Sequence, residues 1–344
     1  MTQSIRLTLQ FTMVMTHNLL SITLVAVLNY LLVSAFAPPQ ALSSTAATNS
    51  RISALSSNSL DSLSIRRTYP KSNLSSLAAN NLNMFEHLST FPGYIGIAIT
   101  AVQIFLTATS FSQEANPKTR TPYSKFSSAK DDSSSSTWPS RVAMMVIYTP
   151  SFIVSMTFLV LGSGVTALGP LSVPEPSLAL LFIVIHFGKR CLEVMLLHKY
   201  SGRTDRETPT IIGTYYTLLS ILIAFCGGSD NNDVSNITGA VLFAVGIAGN
   251  LYHHFLLAKL RGTESKQYVT PKGGLFDYVA TPHYFFELVG WLGIAIVSKH
   301  INSYLVFASM SSYLAGRSVA QNEFNRAKFE DWPSDRKNLI PFIF

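Results

Sequence analysis

Ionisable residues recur at helical spacing in the segment HFGKRCLEVMLLHKYSG, residues 186–202. Lys189, Arg190 and Glu193 follow His186 by three, four and seven positions, so an α-helix places all four on one face. Their neighbours are apolar, and ionisable side chains in such surroundings face a wet cavity, a charged ligand or one another. The stripe predicts a functional site, with an Arg–Glu ion pair between neighbouring helices as the alternative.

A second polar group begins with GNLYHHFLLAKLRG at 249–262, continues at Tyr268 and ends with PKGGLFDYVATPHYFFE at 271–287. Gly273 and Gly274 permit close approach of a backbone. Three basic residues of the group place positive charge at a membrane surface: Arg261, Lys266 and Lys272. This pattern favours an anionic cofactor, and the alternative is an ordinary basic loop on the cytosolic side.

Metal coordination has little support in these patterns. Cys191 and Cys226 lie in apolar runs, which is typical of neither a disulfide framework nor a spaced metal site. His253 and His254 are adjacent, and adjacent helical side chains point about 100° apart. Both imidazoles cannot face one ion without further help, so we predict no metal site.

The composition around these groups is that of a membrane protein. Of the 344 residues, 48% are hydrophobic and 12% are charged, whereas soluble domains carry about 25% charged residues. Seven runs are uncharged or nearly so: Phe91–Phe111, Val142–Leu161, Ser177–Leu197, Thr210–Cys226, Ile237–Ala258, Leu288–Val297 and Ile301–Gly316. The expected fold class is all-α, a polytopic membrane helical bundle of six to seven transmembrane helices.

The formal net charge of +7 does not indicate nucleic-acid binding, because the basic residues lie beside apolar runs. Three segments hold most of them: Lys199–Glu207, Arg261–Lys272 and Arg317–Lys337. By the positive-inside rule these segments share the cytosolic or stromal side.

The beginning of the chain differs in composition from the rest. Residues 1–35 contain an apolar run followed by small residues, which predicts a signal peptide. Residues 36–84 are rich in Ser and poor in acidic residues, like a disordered transit-peptide segment. The junction SAFAP resembles that of proteins sent to secondary plastids, which predicts a plastid membrane. The alternative is a signal peptide or signal anchor that delivers the protein to the endoplasmic reticulum. Residues 85–344 form the predicted membrane domain.

Several motifs in one order carry a resemblance to a known family. They are YSKF at 123–126, SRVAMMVIYTPSF at 140–152, the GNLYHH and LRG group, PKGGLFDYV, and the ending KFEDWPSDRKNLIPFIF. Residues 85–344 resemble the steroid 5-alpha-reductase family, which includes the trans-2-enoyl-CoA reductases and polyprenol reductases. The resemblance implies a bundle of about seven spans around NADPH, with a lipid substrate entering from the membrane.

The resemblance also implies which residues line the cofactor. Seven positions are assigned to cofactor binding: Asn250, His254, Arg261, Tyr268, Gly274, His283 and Arg317. Four positions depart from the family pattern. An acidic residue is common at 254 and Asn is usual at 283, while Gln321 and Asn325 replace a His and a Tyr in the last helix.

The residues that would contact the substrate also differ from the family pattern. Steroid reductases hold the 3-ketone between a Glu and a Tyr, and the matching positions are Tyr148 and Phe187. Tyr284 and Glu193 instead match residues of the enoyl-CoA reductases. We therefore expect an acyl or other enone substrate contacted by Phe187 and Glu193, with a steroid as the close alternative. Fatty acid elongation enzymes would be the partners of the acyl form.

Reduction of an enone places negative charge on the carbonyl oxygen, and a donor must stabilise it. Tyr284 is the expected hydroxyl group, with Glu287 one helical turn away and Tyr148 as the second candidate. The alternative for Tyr284 is an aromatic anchor at the membrane interface.

Three other classes of protein remain open. A carrier would need polar residues along several helices, whereas here they cluster in the C-terminal half. An isoprenylcysteine-type membrane methyltransferase would bind S-adenosylmethionine instead of NADPH. A catalytically inactive lipid-binding or scaffold protein would explain Gln321 and Asn325.

Overall fold

The computed structural model describes residues 93–122, 126, 137–162, 175–200, 202–227, 233–260 and 269–344. All of them belong to one compact unit. The predicted signal peptide (1–35) and transit segment (36–84) lie outside the described residues and stay predictions.

Seven α-helices account for most of the described chain. They are α1 (Gly93–Ala115), α2 (Ser140–Gly162), α3 (Leu178–Leu192), α4 (Glu207–Cys226), α5 (Asp233–Leu260), α6 (Pro282–Ser298) and α7 (Ile301–Lys328). A π-helical turn, Glu193–Leu197, extends α3, and a short 3₁₀ helix, Gly274–Asp277, precedes α6. The prediction of an all-α helical bundle is confirmed.

Three of these helices are long and apolar enough to cross a bilayer by themselves: Ser140–Gly162, Glu207–Cys226 and Val234–Leu260. Large apolar side chains point outwards from them, as at Ile153, Val245 and Phe255. Such side chains are stable against lipid tails but not against water. The exposed surface of these helices therefore fits the predicted integral membrane protein.

Close helix contacts depend on glycine. A Cβ atom at Gly246 of α5 would lie 2.3 Å from the backbone nitrogen of Gly290 in α6. A Cβ at Gly213 of α4 would lie 2.5 Å from the carbonyl oxygen of Val146 in α2. Membrane helices associate largely through close packing, because lipid provides no hydrophobic force between them. Small residues permit that packing, since they let the two backbones approach closely.

Two strands and the C-terminal segment complete the fold. β1 (Thr137–Pro139) pairs antiparallel with β2 (Arg203–Asp205), with Trp138 opposite Thr204. The backbone N–H of Ala280 donates to the Lys337 carbonyl over 2.8 Å. The residues after α7 thus pack against the loop that leads into α6.

Candidate active site

A cavity lies where six of the helices meet. Its lining comes from α2 through α7: Ile147, Tyr148, Arg190, Ile212, Tyr216, His254, Tyr284, Glu287, Tyr313 and Leu314. Four tyrosines, a guanidinium, an imidazole and a carboxylate therefore border one space inside the bundle. Concave sites with a few convergent polar groups are the usual form of small-molecule sites.

Arg190 links this cavity to a cluster of charges behind it. Its Nη2 donates a 2.7 Å hydrogen bond to the hydroxyl oxygen of Tyr148, and its guanidinium lies 4.6 Å from the centre of the Tyr148 ring. Its Nη1 donates to Glu193 Oε2 over 2.5 Å. One nitrogen of the fork thus faces the cavity residue Tyr148, and the other faces a buried carboxylate.

Glu193 is the centre of the charged cluster. Lys189 Nζ lies 3.0 Å from Glu193 Oε1, and His254 Nδ1 lies 3.0 Å from the same oxygen. Glu193 begins the π-helical turn, and such turns are frequent at functional sites. Arg190 and Glu193 form an ion pair three positions apart, within α3 and its extension and not between neighbouring helices as the alternative expected. Arg190 also borders the cavity, and the functional role of the stripe stays a prediction.

The cluster continues to Glu287 through Asn250. Lys189 Nζ donates to the side-chain oxygen of Asn250. The Asn250 amide nitrogen donates to the His283 carbonyl over 2.8 Å and lies 3.5 Å from Glu287 Oε2. Two cations, Lys189 and Arg190, and two carboxylates are thereby connected.

The aromatic residues at the start of α6 lie against this group. The rings of His283 and Tyr284 are 4.4 Å apart, and those of His254 and His283 are 5.3 Å apart. The structure thus brings together seven of the twelve predicted site residues: Tyr148, Glu193, Asn250, His254, His283, Tyr284 and Glu287.

Gly274 lies on the other side of α5. It has a φ of +56°, and a Cβ there would lie 2.9 Å from His253 Nε2. The backbone N–H of Leu275 donates to that nitrogen, and His253 Nδ1 lies 2.7 Å from the Gly249 carbonyl. Glycine at 274 is therefore required for packing against α5, and its role in cofactor binding stays a prediction.

Arg317 lies apart from the charged cluster. Its Nη1 donates to Glu114 Oε2 over 3.0 Å and to the Thr121 carbonyl over 2.9 Å. Both side chains of the ion pair are almost fully buried. Arg317 thus joins α7 to α1. The cofactor contact that the resemblance implies for it stays a prediction.

Phe187 is fully buried and is not part of the cavity lining. Its ring packs against those of Tyr216 at 5.4 Å and His186 at 5.0 Å. It supports the wall of the cavity from behind. Arg261 and Tyr268 lie outside the described residues, so their assignment to the cofactor stays a prediction.

Gln321 and Asn325, which depart from the family pattern, bind each other. The Gln321 amide nitrogen donates to Asn325 Oδ1 over 2.8 Å, and both side chains are buried. The pair satisfies two polar groups inside α7.

Among the described residues, Glu193, His198 and His254 have donor atoms within 4.8 Å of one another. A divalent ion bound by these three side chains would have Glu193 as its only anionic ligand. Lys189 and Arg190 both contact that carboxylate, and their positive charges oppose a metal ion. The arrangement is an ion-pair cluster with a histidine.

Three polar residues of the cavity are absent from the site that the sequence predicts. Tyr216 and Tyr313 lie in helices that contain several other Ser, Thr and Tyr residues, so nothing in the sequence singles them out. Arg190 belongs to the predicted helical stripe but not to the predicted site.

The fold and the site define an integral membrane protein whose helices enclose a charged, tyrosine-lined cavity. Comparison with known proteins narrows this class. The sequence profile of the 3-oxo-5-alpha-steroid 4-dehydrogenase family matches residues 202–344. The 3-oxo-5-alpha-steroid 4-dehydrogenase 2 of Macaca fascicularis is 30% identical over 226 residues, which cover 60% of this chain and 82% of that protein.

Two further relatives agree. The human 3-oxo-5-alpha-steroid 4-dehydrogenase 2 is 30% identical over 217 residues, with 60% of this chain and 82% of that protein covered. The 3-oxo-5-alpha-steroid 4-dehydrogenase 1 of Rattus norvegicus is 40% identical over 108 residues, with 31% and 41% covered. The chain belongs to the steroid 5-alpha-reductase family. Its expected features of the enoyl-CoA reductase branch stay a prediction.

Proposed function

We propose that this protein is an oxidoreductase that uses NADPH to reduce a conjugated carbon–carbon double bond in a lipid enone, with a 4-ene-3-one steroid as the first substrate class. The names of the relatives support that class. The observation that carries the proposal is one cavity inside a membrane bundle whose lining includes Tyr148, Tyr284 and Glu287.

The donor set beside the cavity fits a nicotinamide. Glu287 borders the cavity, and its carboxylate would accept from the N–H of a carboxamide. The Asn250 amide, 3.5 Å from Glu287, would hold that carboxylate in place, while Arg261 would bind a phosphate. Bound NADPH would supply the hydride.

The protein's own residues must then stabilise the negative charge that forms on the substrate. As the β-carbon gains a hydride, negative charge moves to the carbonyl oxygen of the substrate, and a hydrogen-bond donor lowers the barrier. The Tyr284 hydroxyl supplies the proton to the α-carbon, and Glu287, three positions later in α6, orients the site. The apolar bundle keeps water from the reaction, which strengthens these interactions.

An enoyl-CoA is the second candidate substrate. Tyr148 and Phe187 occupy the positions where steroid reductases have Glu and Tyr, so the carboxylate–phenol pair for a 3-ketone is missing. Tyr284 and Glu193 support the acyl substrate. In that case fatty acid elongation enzymes would be partners.

The decisive experiment measures NADPH oxidation and substrate loss together. Membranes containing the protein are incubated with NADPH and, separately, a 4-ene-3-one steroid, a 2-enoyl-CoA and a polyprenol-type lipid, with membranes lacking the protein as control. We expect stoichiometric loss of NADPH and of one enone. If all three lipids stay intact, the reductase proposal is wrong. Binding of S-adenosylmethionine would then favour the methyltransferase, and lipid binding without turnover would favour the inactive scaffold.

The protein is integral to a membrane, and we propose a plastid membrane or the endoplasmic reticulum as its location. Fusion of residues 1–84 to a fluorescent protein separates the two. Plastid fluorescence supports the transit segment, and a reticular pattern supports a signal peptide alone.

A further inference from the structure

We propose that Ile340, Phe342 and Ile343 form a lipid anchor, which inserts into the boundary between lipid headgroups and acyl chains and holds the loop before α6 at the membrane surface. The inference concerns a surface that does not line the cavity. It is independent of the proposed reductase function. The partner is the lipid bilayer itself, on the side of the membrane where residues 329–344 lie.

Residues 339–344, the anchor segment, form a tight turn that directs apolar side chains outwards. The backbone N–H groups of Leu339 and Ile340 donate to the Phe344 carbonyl over 2.8 and 2.9 Å, and the Phe344 N–H donates to the Ile340 carbonyl over 3.1 Å. Leu339 is 2% exposed, whereas Phe342 is 76% and Ile343 is 77% exposed. The turn therefore buries one large apolar side chain and presents two others outside the protein.

The backbone at Phe342 indicates that a contact outside the protein stabilises this arrangement. Phe342 has a φ of +66°, in the left-handed region that residues with bulky side chains rarely adopt. Such conformations persist where the surroundings fix them, and they occur often at functional positions. Exposure of two large apolar side chains to water adds a further cost at this turn. Contact with lipid would remove the second cost.

The neighbours of the anchor segment define its depth in the membrane. The Phe344 ring lies 6.3 Å from that of Phe111, the last residue of the first uncharged run. The Phe342 ring lies 5.3 Å from that of the exposed Tyr278. Aromatic rings are enriched where the hydrocarbon core meets the headgroups, and the exposed Lys337 offers a positive charge to lipid phosphates. The anchor segment thus continues the exposed apolar surface of α1 at the level of the headgroups.

The residues before the anchor segment connect it to α6. The Ala280 N–H donates to the Lys337 carbonyl over 2.8 Å. The Asn338 carbonyl accepts from both the N–H and the hydroxyl group of Thr281, over 3.2 and 2.8 Å. Thr281 is the residue immediately before α6. A segment held at the membrane surface would therefore fix the depth at which α6 begins.

The accessibility of a spin label tests the location of the turn. Phe342→Cys carries a nitroxide in protein reconstituted into phosphatidylcholine–phosphatidylglycerol vesicles, and Cys191 and Cys226 are buried, so the label reacts with the introduced thiol. Relaxation by oxygen, which concentrates in lipid, is compared with relaxation by a water-soluble nickel chelate. Ser334→Cys is the water-exposed control, and Val245→Cys on α5 is the lipid control. We expect position 342 to lose most of the nickel accessibility of position 334 and to exceed it in oxygen accessibility.

Two results would overturn the lipid contact. A label at 342 that is as accessible to nickel as the label at 334 would place the turn in water. Low accessibility to both reagents would show that another segment or a second copy of the chain covers the turn. Should Phe342→Cys fail to fold, Ile343→Cys is labelled instead, with the same results expected.

Hydrogen exchange tests whether the anchor holds the loop. In vesicles, the combined variant Phe342→Ser with Ile343→Ser should speed exchange of the Ala280 and Thr281 amides by about tenfold or more, as expected when a large apolar side chain loses its burial. Val245→Ser is the matched control, since it also removes an apolar side chain from lipid but lies on α5. Wild-type exchange in the combined variant would contradict the role of the anchor at α6.

Discussion

At the scale of single residues, position 148 shows how one substitution within a family motif changes the surrounding chemistry. A carboxylate beside Arg190 would form an ion pair, whereas the Tyr148 hydroxyl is neutral and accepts a hydrogen bond from Arg190 Nη2. Arg190 can then satisfy Glu193 with its other nitrogen. Tyr148 thus borders the cavity without adding a charge to the cluster.

Tyr284→Phe tests whether the Tyr284 hydroxyl supplies the proton to the substrate. We expect kcat to fall by about 100-fold or more, the range for loss of a general acid, with little change in NADPH affinity, because only the oxygen is removed. Steady-state kinetics and NADPH titration by fluorescence measure the two quantities. Tyr278→Phe is the control, since Tyr278 is exposed and does not line the cavity. Unchanged turnover would remove Tyr284 from the mechanism.

Arg261→Ala addresses the predicted phosphate contact. The resemblance places Arg261 beside the cofactor, so the variant should weaken NADPH binding by about 10-fold or more, as expected for a hydrogen bond to a charged group. Arg203→Ala is a suitable control, because Arg203 binds Thr137 between the two strands. If Arg261→Ala binds NADPH with wild-type affinity, Arg261 does not contact the cofactor and serves only to set the membrane topology.

At the scale of elements, the π-helical turn after α3 decides which side chains meet. Glu193 begins this turn, and it contacts Lys189 and Arg190 from the preceding helix and His254 from α5. A π-turn widens the helix by one residue per turn and so changes the direction of the following side chains. The sequence of the turn itself, EVMLL, contains no marker for such a turn.

The packing of α5 against α6 sets the distance between two predicted cofactor residues, because Asn250 lies on α5 and Glu287 lies on α6. Gly246→Ala would place a methyl group 2.3 Å from the Gly290 nitrogen. Overpacking of this kind costs about 1–3 kcal/mol. We expect a lower melting temperature in detergent and weaker NADPH binding. Ala244→Val on the exposed side of α5 should leave both unchanged, and equal effects of the two substitutions would contradict the packing argument.

At the scale of the whole molecule, contacts between α1 and α7 join the first and the last of the described helices. Glu114 and Arg317 form a buried ion pair across 203 positions of sequence, and a Cβ at Gly316 would lie 2.5 Å from the Phe111 carbonyl. Loss of one member of a buried pair leaves an uncompensated charge.

Arg317→Met should therefore destabilise the protein by about 3–5 kcal/mol, and Glu114→Gln combined with Arg317→Met should restore much of the loss. Thermal unfolding in detergent measures both. We expect the double variant to bind NADPH less tightly than the wild type, because the resemblance places Arg317 beside the cofactor. Wild-type affinity in a stable double variant would show that Arg317 only joins the helices.

Much of the architecture was predictable because it depends on local properties of the chain. The uncharged runs indicated the helices, since lipid admits few charges and leaves backbone groups to bond within each helix. The spacing of Lys189, Arg190 and Glu193 indicated one polar face. Motif order indicated the family, which the comparisons confirm.

The contacts between distant segments were decided only by the tertiary structure. Nothing in the spacing of residues reveals that Arg190 reaches Tyr148, or that His254 of α5 reaches Glu193. Likewise, Arg317 and Gly274 match cofactor motifs in the sequence but pack against Glu114 and His253. The physical reason is that a helix fixes the direction of each side chain along its own axis, whereas its partner depends on how neighbouring helices rotate and approach.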